Sequence, residues 1–358
     1  MGGKRVVMRA IRFLLLFVLA VAAFVASSRV DMGAQARRQD SEIRVLPLRG
    51  NLFMLVGGGA NIVASIGRDG VLLVDTGSAA MSDKVLTTVR DLSRQVTAPR
   101  MPQQSCVGLV QCTWWDGSRF LSTTMAPPGP RPIAGIINTS FDPDHMGGNA
   151  VIVKAGSSYG ARVGQGAWVV AHENAPTHLA EQSSVPVDAL PTETYPGPDK
   201  KLNFFNGEGV VVWHRPAAHT NGDSVVQFRA SEVLAVGDIL NMTSYPVIDI
   251  DKGGSVQGVI DAMNWILDVA IVEHMMEGGT LIVPGHGRVT DSADVAYYRD
   301  MMTIVRDRVR EMTKRGMTLQ QIKAARLTRD YDPRFGRNPS WPPDMFIEAV
   351  YRSLNPKP

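Results

Sequence analysis

One short stretch of this chain concentrates side chains that can hold a metal ion or move a proton. Within Ile136–Asn149 an apolar segment runs into a polar loop that carries Ser140, Asp142, Asp144 and His145, and two glycines follow. Carboxylate oxygens and imidazole nitrogens are common donors to divalent metal ions. The pattern therefore predicts a site of chemistry in a loop at the end of a buried strand.

Three later segments supply further donors of the same kind. His219 lies in the polar stretch Ala217–Asp223, Asp238 follows a short apolar run, and His286 stands between two glycines after Ile282–Val283. Each of these donors follows a strand-like run, as the first loop does. We therefore expect all four segments to project from one edge of the fold.

The order and content of these four segments resemble the metallo-β-lactamase superfamily. The first loop is similar to the family signature T-H-x-H-x-D-H-x-G-G-N, and the two agree at Asn138, Thr139, Asp144, His145, Gly147, Gly148 and Asn149. The chain departs from the signature at its first two histidines, which are Ser140 and Asp142 here. The strand-like run Val71–Val74, followed by Asp75-Thr76-Gly77, also resembles the opening of that family's domain, where the aspartate is structural rather than catalytic.

The resemblance implies two neighbouring metal positions, with Asp238 in a bridging place. The first position corresponds to Ser140, Asp142 and His219, and the second to Asp144, His145 and His286. Because a neutral hydroxyl is a poor zinc ligand, the first position is predicted to be degenerate. The second retains two imidazoles and two carboxylates if Asp238 is counted, so one metal ion per chain is expected.

The predicted metal ligands are Asp142, Asp144, His145, His219, Asp238 and His286, and Asp144 is also the catalytic candidate. The role of Asp142 depends on whether the first position survives. Zn²⁺ is the expected ion, and the many carboxylates leave Mn²⁺ or Fe²⁺ open. The segment A-H-E-N, at residues 171–174, resembles a family element that does not bind metal, so a hydrogen-bonding role is expected for His172.

For function, the resemblance implies a hydrolase that uses a metal-bound water or hydroxide on an ester, thioester or lactam bond. The alternative is a degenerate member that binds a metal or ligand without catalysis, which the two missing histidines favour. The retention of five ligands favours the hydrolase. A small-molecule substrate is expected, because a net charge of +3 over 358 residues gives no reason to expect nucleic acid.

The amino terminus predicts export to the periplasm or the cell exterior. Basic residues at Lys4, Arg5, Arg9 and Arg12 precede the uncharged apolar run Phe13–Ala26, an arrangement typical of a signal peptide. This run is short for a membrane span, although an uncleaved membrane anchor stays open as the alternative. Residues 1–36 are therefore assigned to the signal peptide and a linker.

Strand-like and helical segments along the chain predict an α/β or α+β protein. The resemblance narrows this to the α+β class and a four-layer αββα sandwich over residues 43–293, with a helical extension over residues 294–358. Residues 95–131 interrupt the pattern and are interpreted as an insertion, either a lid over the substrate or a structural loop. Among the local expectations are a helix over Ser82–Ser93 and a strand over Ala150–Lys154.

The insertion contains the two cysteines of the chain, Cys106 and Cys112. In an oxidising compartment a pair so close in sequence is expected to form one intramolecular disulfide. Thiol titration of the unfolded, unreduced protein from the periplasm should therefore find no free thiol, and the same sample after reduction should release both. Two free thiols before reduction would contradict the disulfide.

Overall fold

The structure is a computed structural model, and it describes residues 42–97, 130–157, 166–180, 185–271 and 277–355. The predicted signal peptide, the cysteine pair and most of the insertion lie outside the described residues, so these remain predictions, as does the domain division at residue 294. Among the residues described, no helix is long and apolar enough to cross a membrane.

Seven strands form the first sheet, and their order across the sheet follows their order along the chain. The antiparallel half contains β1 (Arg44–Pro47), β2 (Leu52–Val56), β3 (Ile62–Gly67) and β4 (Gly70–Val74), and the parallel half adds β5 (Ile133–Ile137), β6 (Trp168–His172) and β7 (Glu193–Tyr195). Every residue of β4 and β5 is buried, as expected for parallel neighbours that are covered on both faces.

Five strands form the second sheet, in the order β12-β11-β10-β9-β8. They are β8 (Asp199–Lys201), β9 (Val210–His214), β10 (Ser224–Phe228), β11 (Val233–Asn241) and β12 (Leu281–His286). The strands β11 and β12 are parallel, and the other neighbours are antiparallel. Two parallel strands side by side bring their carboxyl ends, and therefore Asp238 and His286, to the same edge.

Helices cover the outer faces of both sheets, and short helices lie in the loops between strands. They are α1 (Ser82–Thr97), α2 (Pro143–Met146), α3 (Asn149–Ala155), α4 (Asn174–Ala180), α5 (Val256–Val269), α6 (Ser292–Lys314), α7 (Leu319–Ala324), α8 (Asp332–Phe335) and α9 (Pro343–Leu354). The long helix α6 begins after Asp291, whose side chain accepts a hydrogen bond from the backbone N–H of Asp294. Thr318 and Gln321 form a capping box at the start of α7.

Three apolar clusters separate the layers. The alternation of side chains along a strand sends Leu72 into the cluster between the two sheets, where it meets residues such as Phe228, and sends Leu73 outward against α1 and α3. The outer face of the second sheet packs against α5, α6 and α9. The order of layers is therefore helix, sheet, sheet, helix, and the predicted αββα sandwich is confirmed.

One local expectation was wrong, because Ala150–Lys154 lies within helix α3 rather than in a strand. An apolar run of this length fits a buried strand or a buried helix equally well, so the pattern alone could not choose between them. In the fold, Ile152 packs from this helix onto the first sheet. The predicted helix at Ser82 was correct and continues to Thr97.

Phe228 tests the cluster between the sheets, because its side chain is fully buried there. We expect Phe228→Ala to lower the free energy of unfolding by about 3–5 kcal/mol, from lost burial and the cavity left behind. The matched control is Phe204→Ala, at a position 72% exposed, which should change stability by less than about 0.5 kcal/mol. Urea unfolding of chelator-treated proteins measures both, and equal losses would contradict the assigned core.

Candidate metal centre

The central loop follows β5 and is held in place by the loop that follows β4. Its backbone turns into the short helix α2, which carries Asp144 and His145, while Asp142 occupies the position just before that helix. The carbonyl oxygen of His145 accepts hydrogen bonds from the N–H groups of Thr76 and Gly77, at 2.8 and 3.1 Å. The D-T-G segment thus fixes where the donor loop lies.

Asp75 fixes the orientation of His145. It has a positive φ of 63°, and its Oδ1 accepts a hydrogen bond of 2.8 Å from the N–H of Thr139. Its Oδ2 lies 2.8 Å from His145 Nδ1 and accepts a second bond from the Thr139 hydroxyl. His145 is fully buried, and its Nε2 has no hydrogen-bond partner. With Nδ1 donating to Asp75, Nε2 is left to face the centre of the site.

Asp144, His145 and His286, the donors of the second position in the family pattern, form one group, here called the His286 group. Their ligand atoms lie within 4.8 Å of one another. His286 Nε2 is 3.1 Å from Asp144 Oδ2 and 3.5 Å from Asp238 Oδ1. The Nε2 atom of His145 lies 3.2 Å from Asp238 Oδ2, but without hydrogen-bond geometry. Asp238 thus faces both imidazoles, and its own Oδ1 is buried without a hydrogen-bond partner.

Two glycines permit the placement of Asp238. The register between β11 and β12 shifts at Gly237, which has a positive φ of 53° that glycine adopts without strain. A Cβ atom at Gly285 would lie 2.3 Å from Asp238 Oδ1, so only glycine fits beside this carboxylate. Such irregularities re-aim a side chain at the end of a strand, and here the side chain is directed into the donor cluster.

Asp142 and His219, which belong to the first position in the family pattern, form another group with Asp238, here called the His219 group. Their ligand atoms also lie within 4.8 Å of one another. His219 Nε2 lies 3.3 Å from Asp142 Oδ2. The other ring nitrogen, Nδ1, lies 3.5 Å from Asp223 Oδ1 without forming a hydrogen bond. Asp223 is held by Thr220, which donates to it from both its N–H and its hydroxyl group.

Ser140 belongs to neither group. Its side chain is buried, and its Oγ accepts a hydrogen bond of 3.2 Å from the N–H of Asp142. The serine therefore supports the loop backbone, where the family signature would place an imidazole at the metal. Lys252 stands on the same side instead, with its Nζ 3.5 Å from Asp142 Oδ1.

The charges in the cluster favour a cation at its centre. Burial by itself lowers the pKa of His145, but Asp238 and Asp75 raise that pKa well above its ordinary value. Burial also lowers the pKa of His219, but the carboxylates of Asp223, Asp142 and Asp238 outweigh this effect and raise that pKa to about 9. Burial would raise the pKa of Asp238, yet the imidazoles, led by His145, lower it. The carboxylates thus stabilise positive charge on the imidazoles.

The structure brings together all six predicted ligand residues. Sequence reasoning gave no functional position to Asp75, Asp223 or Lys252, all of which contact those residues directly. Asp75 carried a signal, since it follows a buried strand, but its contact with His145 spans a sequence separation of 70 residues. No spacing rule connects residues so far apart.

Two of the histidines outside the cluster, His172 and His214, pair with each other. The rings of His172 and His214 stack with centroids 3.5 Å apart and an interplanar angle of 9°. Burial and the nearby His214 lower the pKa of His172 to about 4. The Nδ1 atom of His172 accepts a hydrogen bond of 3.3 Å from the N–H of Asn174, in agreement with the expected hydrogen-bonding role.

Residues 126–287 match the family model described as the metallo-beta-lactamase superfamily. Among solved structures, the metallo-beta-lactamase from Pontibacter korlensis aligns at a TM-score of 0.50 and 14% identity, covering 73% of this chain and 99% of that one. The DIM-1 metallo-beta-lactamase aligns at 0.50 and 15% identity, covering 73% and 97%. These likenesses support the fold.

A larger enzyme shares more of this chain. The stereoselective inverting sec-alkylsulfatase Pisa1 from Pseudomonas sp. aligns at a TM-score of 0.55 and 15% identity, covering 87% of this chain and 50% of the sulfatase. The alignment therefore spans half of that protein. No curated protein sequence matches the chain.

Asp75→Asn tests the orientation of His145. Asparagine tolerates a positive φ, so the backbone should be kept, but one amide oxygen cannot replace two carboxylate oxygens toward Thr139 and His145. Loss of such a partner typically weakens metal affinity about 10- to 100-fold, and we expect that loss in a competition titration with a chromogenic chelator. The control is Asp91→Asn, whose carboxylate pairs with Arg94 on the surface. Unchanged affinity in Asp75→Asn would contradict the role.

Proposed function

Residues 126–287 match the model of the metallo-beta-lactamase superfamily, and from that match we propose that the chain is a metal-dependent hydrolase of this superfamily. The observation that carries the proposal is the buried Nε2 of His145, which has no hydrogen-bond partner. It faces a carboxylate and lies beside His286 and Asp144. A buried imidazole nitrogen left unpaired costs stability, and a metal ion at this point would satisfy it.

The residues around His145 fit one divalent ion. Asp144, His145, Asp238 and His286 would hold it with two imidazoles and two carboxylates, a donor set typical of zinc and compatible with manganese or iron. A divalent ion in such a site lowers the pKa of water to about 7 and polarises the bond to be cleaved. The His219 group fits an ion less well, because the Ser140 hydroxyl is bonded to the loop backbone and Lys252 adjoins Asp142.

The chain's own residues divide the remaining work. Asp75 keeps the proton of His145 on Nδ1, so that Nε2 stays a donor to metal. Asp144 has the most open side chain of the six, at 40% exposure, compared with 26% for His286. A carboxylate at the solvent side of the site can accept a proton from a substrate or from water, and this supports Asp144 as the catalytic residue.

The proposed substrate is a small molecule with an ester, thioester or lactam bond. Fold does not choose among these bonds, and the similarity to a sec-alkylsulfatase adds a sulfate ester to the panel worth testing. We propose that the enzyme acts in the periplasm or outside the cell, since the basic and then apolar amino terminus has the form of a signal peptide. No role with nucleic acid is proposed.

A binding protein without catalysis is the second candidate. It is favoured by the composition of the His219 group, where His219 is kept but Ser140 and Asp142 stand at the places of two histidines of the family signature. The two candidates differ in one measurement, because a binding protein would hold its metal and leave every bond in the panel intact.

Metal content and hydrolysis together test the proposal. We expect about one equivalent of zinc per wild-type chain by elemental analysis, and turnover in the panel that a chelator removes and added zinc restores. His286→Ala should lose the ion and the turnover, because it removes one of only four donors. Ser140→Ala is the matched control, because Ser140 is a buried residue of the donor loop that belongs to neither donor group. This variant should keep the ion. No bound metal, or turnover that survives the chelator, would refute the proposal.

A further inference from the structure

Lys252 is the cation next to the degenerate part of the site. Its Nζ lies 3.5 Å from Asp142 Oδ1 and 2.9 Å from Asp249 Oδ2. The other oxygen of Asp142 faces His219 Nε2 at 3.3 Å. Asp142 thus stands between an imidazole and an ammonium group, with one oxygen directed at each. The ammonium also lies 5.7 Å from the centre of the Phe141 ring, within the range of a cation–π contact.

The position of Lys252 is built into the fold. Lys252 ends a short 3₁₀ turn, Ile250–Lys252. Asp249 caps this turn, because its side chain accepts a hydrogen bond from the N–H of Lys252. The N–H of Asp249 donates to the carbonyl of His219 at 2.9 Å, and the N–H of Asn221 donates to the carbonyl of Lys252 at 3.0 Å. The lysine turn and the His219 loop are therefore joined by hydrogen bonds in both directions.

The charges at this point explain what the lysine does. Asp142 and Asp238 lie with His219 in one donor group, and Asp249 contacts Lys252 beside that group. The family signature would place a metal ion among such groups. Carboxylates gathered this closely repel one another unless a cation stands among them. The side chain of Lys252 is only 29% exposed, so its attraction to Asp142 is less screened than that of a surface pair.

We propose that the ammonium group of Lys252 takes the place of the first metal ion of the superfamily. It neutralises Asp142 permanently, and its charge repels a divalent ion that approaches Asp142, His219 and Asp238. The chain is in this way restricted to a single metal ion, held by Asp144, His145, Asp238 and His286. The inference rests on the proposed function, since it assumes that the His286 group, together with Asp238, binds a metal ion.

The test is the number of metal ions bound when the lysine loses its charge. We expect about one equivalent of Zn²⁺ in the wild-type chain after equilibrium dialysis and elemental analysis. Lys252→Met keeps the length of the side chain and removes the ammonium, so it should bind about two. The dissociation constant of the second ion should fall by roughly tenfold or more. Lys252→Arg keeps the charge and should still bind one.

Lys154→Met is the matched control. Lys154 also pairs with a carboxylate, that of Asp188, but both side chains are more than half exposed and neither belongs to the two donor groups. This variant should therefore bind one equivalent, like the wild type. Titration with Co²⁺, followed by its visible absorption, reports the same stoichiometry without depending on catalytic turnover.

The outcomes separate the inference from the function on which it rests. Two tightly bound ions in the wild-type chain would overturn the role of Lys252 and leave the metal-dependent hydrolase standing. No bound ion in the wild type would remove the proposed function itself, and the inference with it. A folded Lys252→Met that still binds one ion would also overturn the inference, and Lys252→Gln provides a second uncharged variant if the first does not fold.

Discussion

The centre of this protein depends on one buried carboxylate, that of Asp75. It stands at the end of β4 in a backbone conformation with positive φ, and it receives hydrogen bonds from Thr139 and His145 of the neighbouring loop. Conformations of this kind persist where the surrounding structure fixes them. Here the sheet holds Asp75, Asp75 holds His145, and the remaining donors are arranged around the imidazole.

The two sheets bring those donors together through the ends of their strands. The loop after β5 belongs to the first sheet, whereas His219, Asp238 and His286 come from the second. The cluster between the sheets is apolar and buried, and it holds the two halves of the site against each other. Asn61 adds a direct tie, since its side chain donates to the carbonyls of Pro284 and Gly287 beside His286.

Electrostatics then distinguish the two halves of the site. Around His145 the carboxylates face an imidazole nitrogen, Nε2 of His145, that has no hydrogen-bond partner, and a cation there would satisfy both. Around His219 a lysine already pairs with Asp142. A fixed ammonium and an exchangeable metal ion answer the same excess of negative charge, but only the metal ion can polarise a substrate or acidify water. The asymmetry therefore places the proposed chemistry at one position.

By itself the sequence determined a fold of mixed helices and strands and four segments that carry metal donors, because buried strands, glycine turns and donor residues are local patterns. Its resemblance to the superfamily added the αββα sandwich and the six ligand positions. It also showed that Ser140 and Asp142 depart from the family signature. Only the tertiary structure decided that residues 150–154 are helical, that Asp75 orients His145, and that Lys252 lies against Asp142. These outcomes depend on contacts between distant segments, such as the 70-residue separation of Asp75 and His145, and local periodicity carries no information about which distant segments meet.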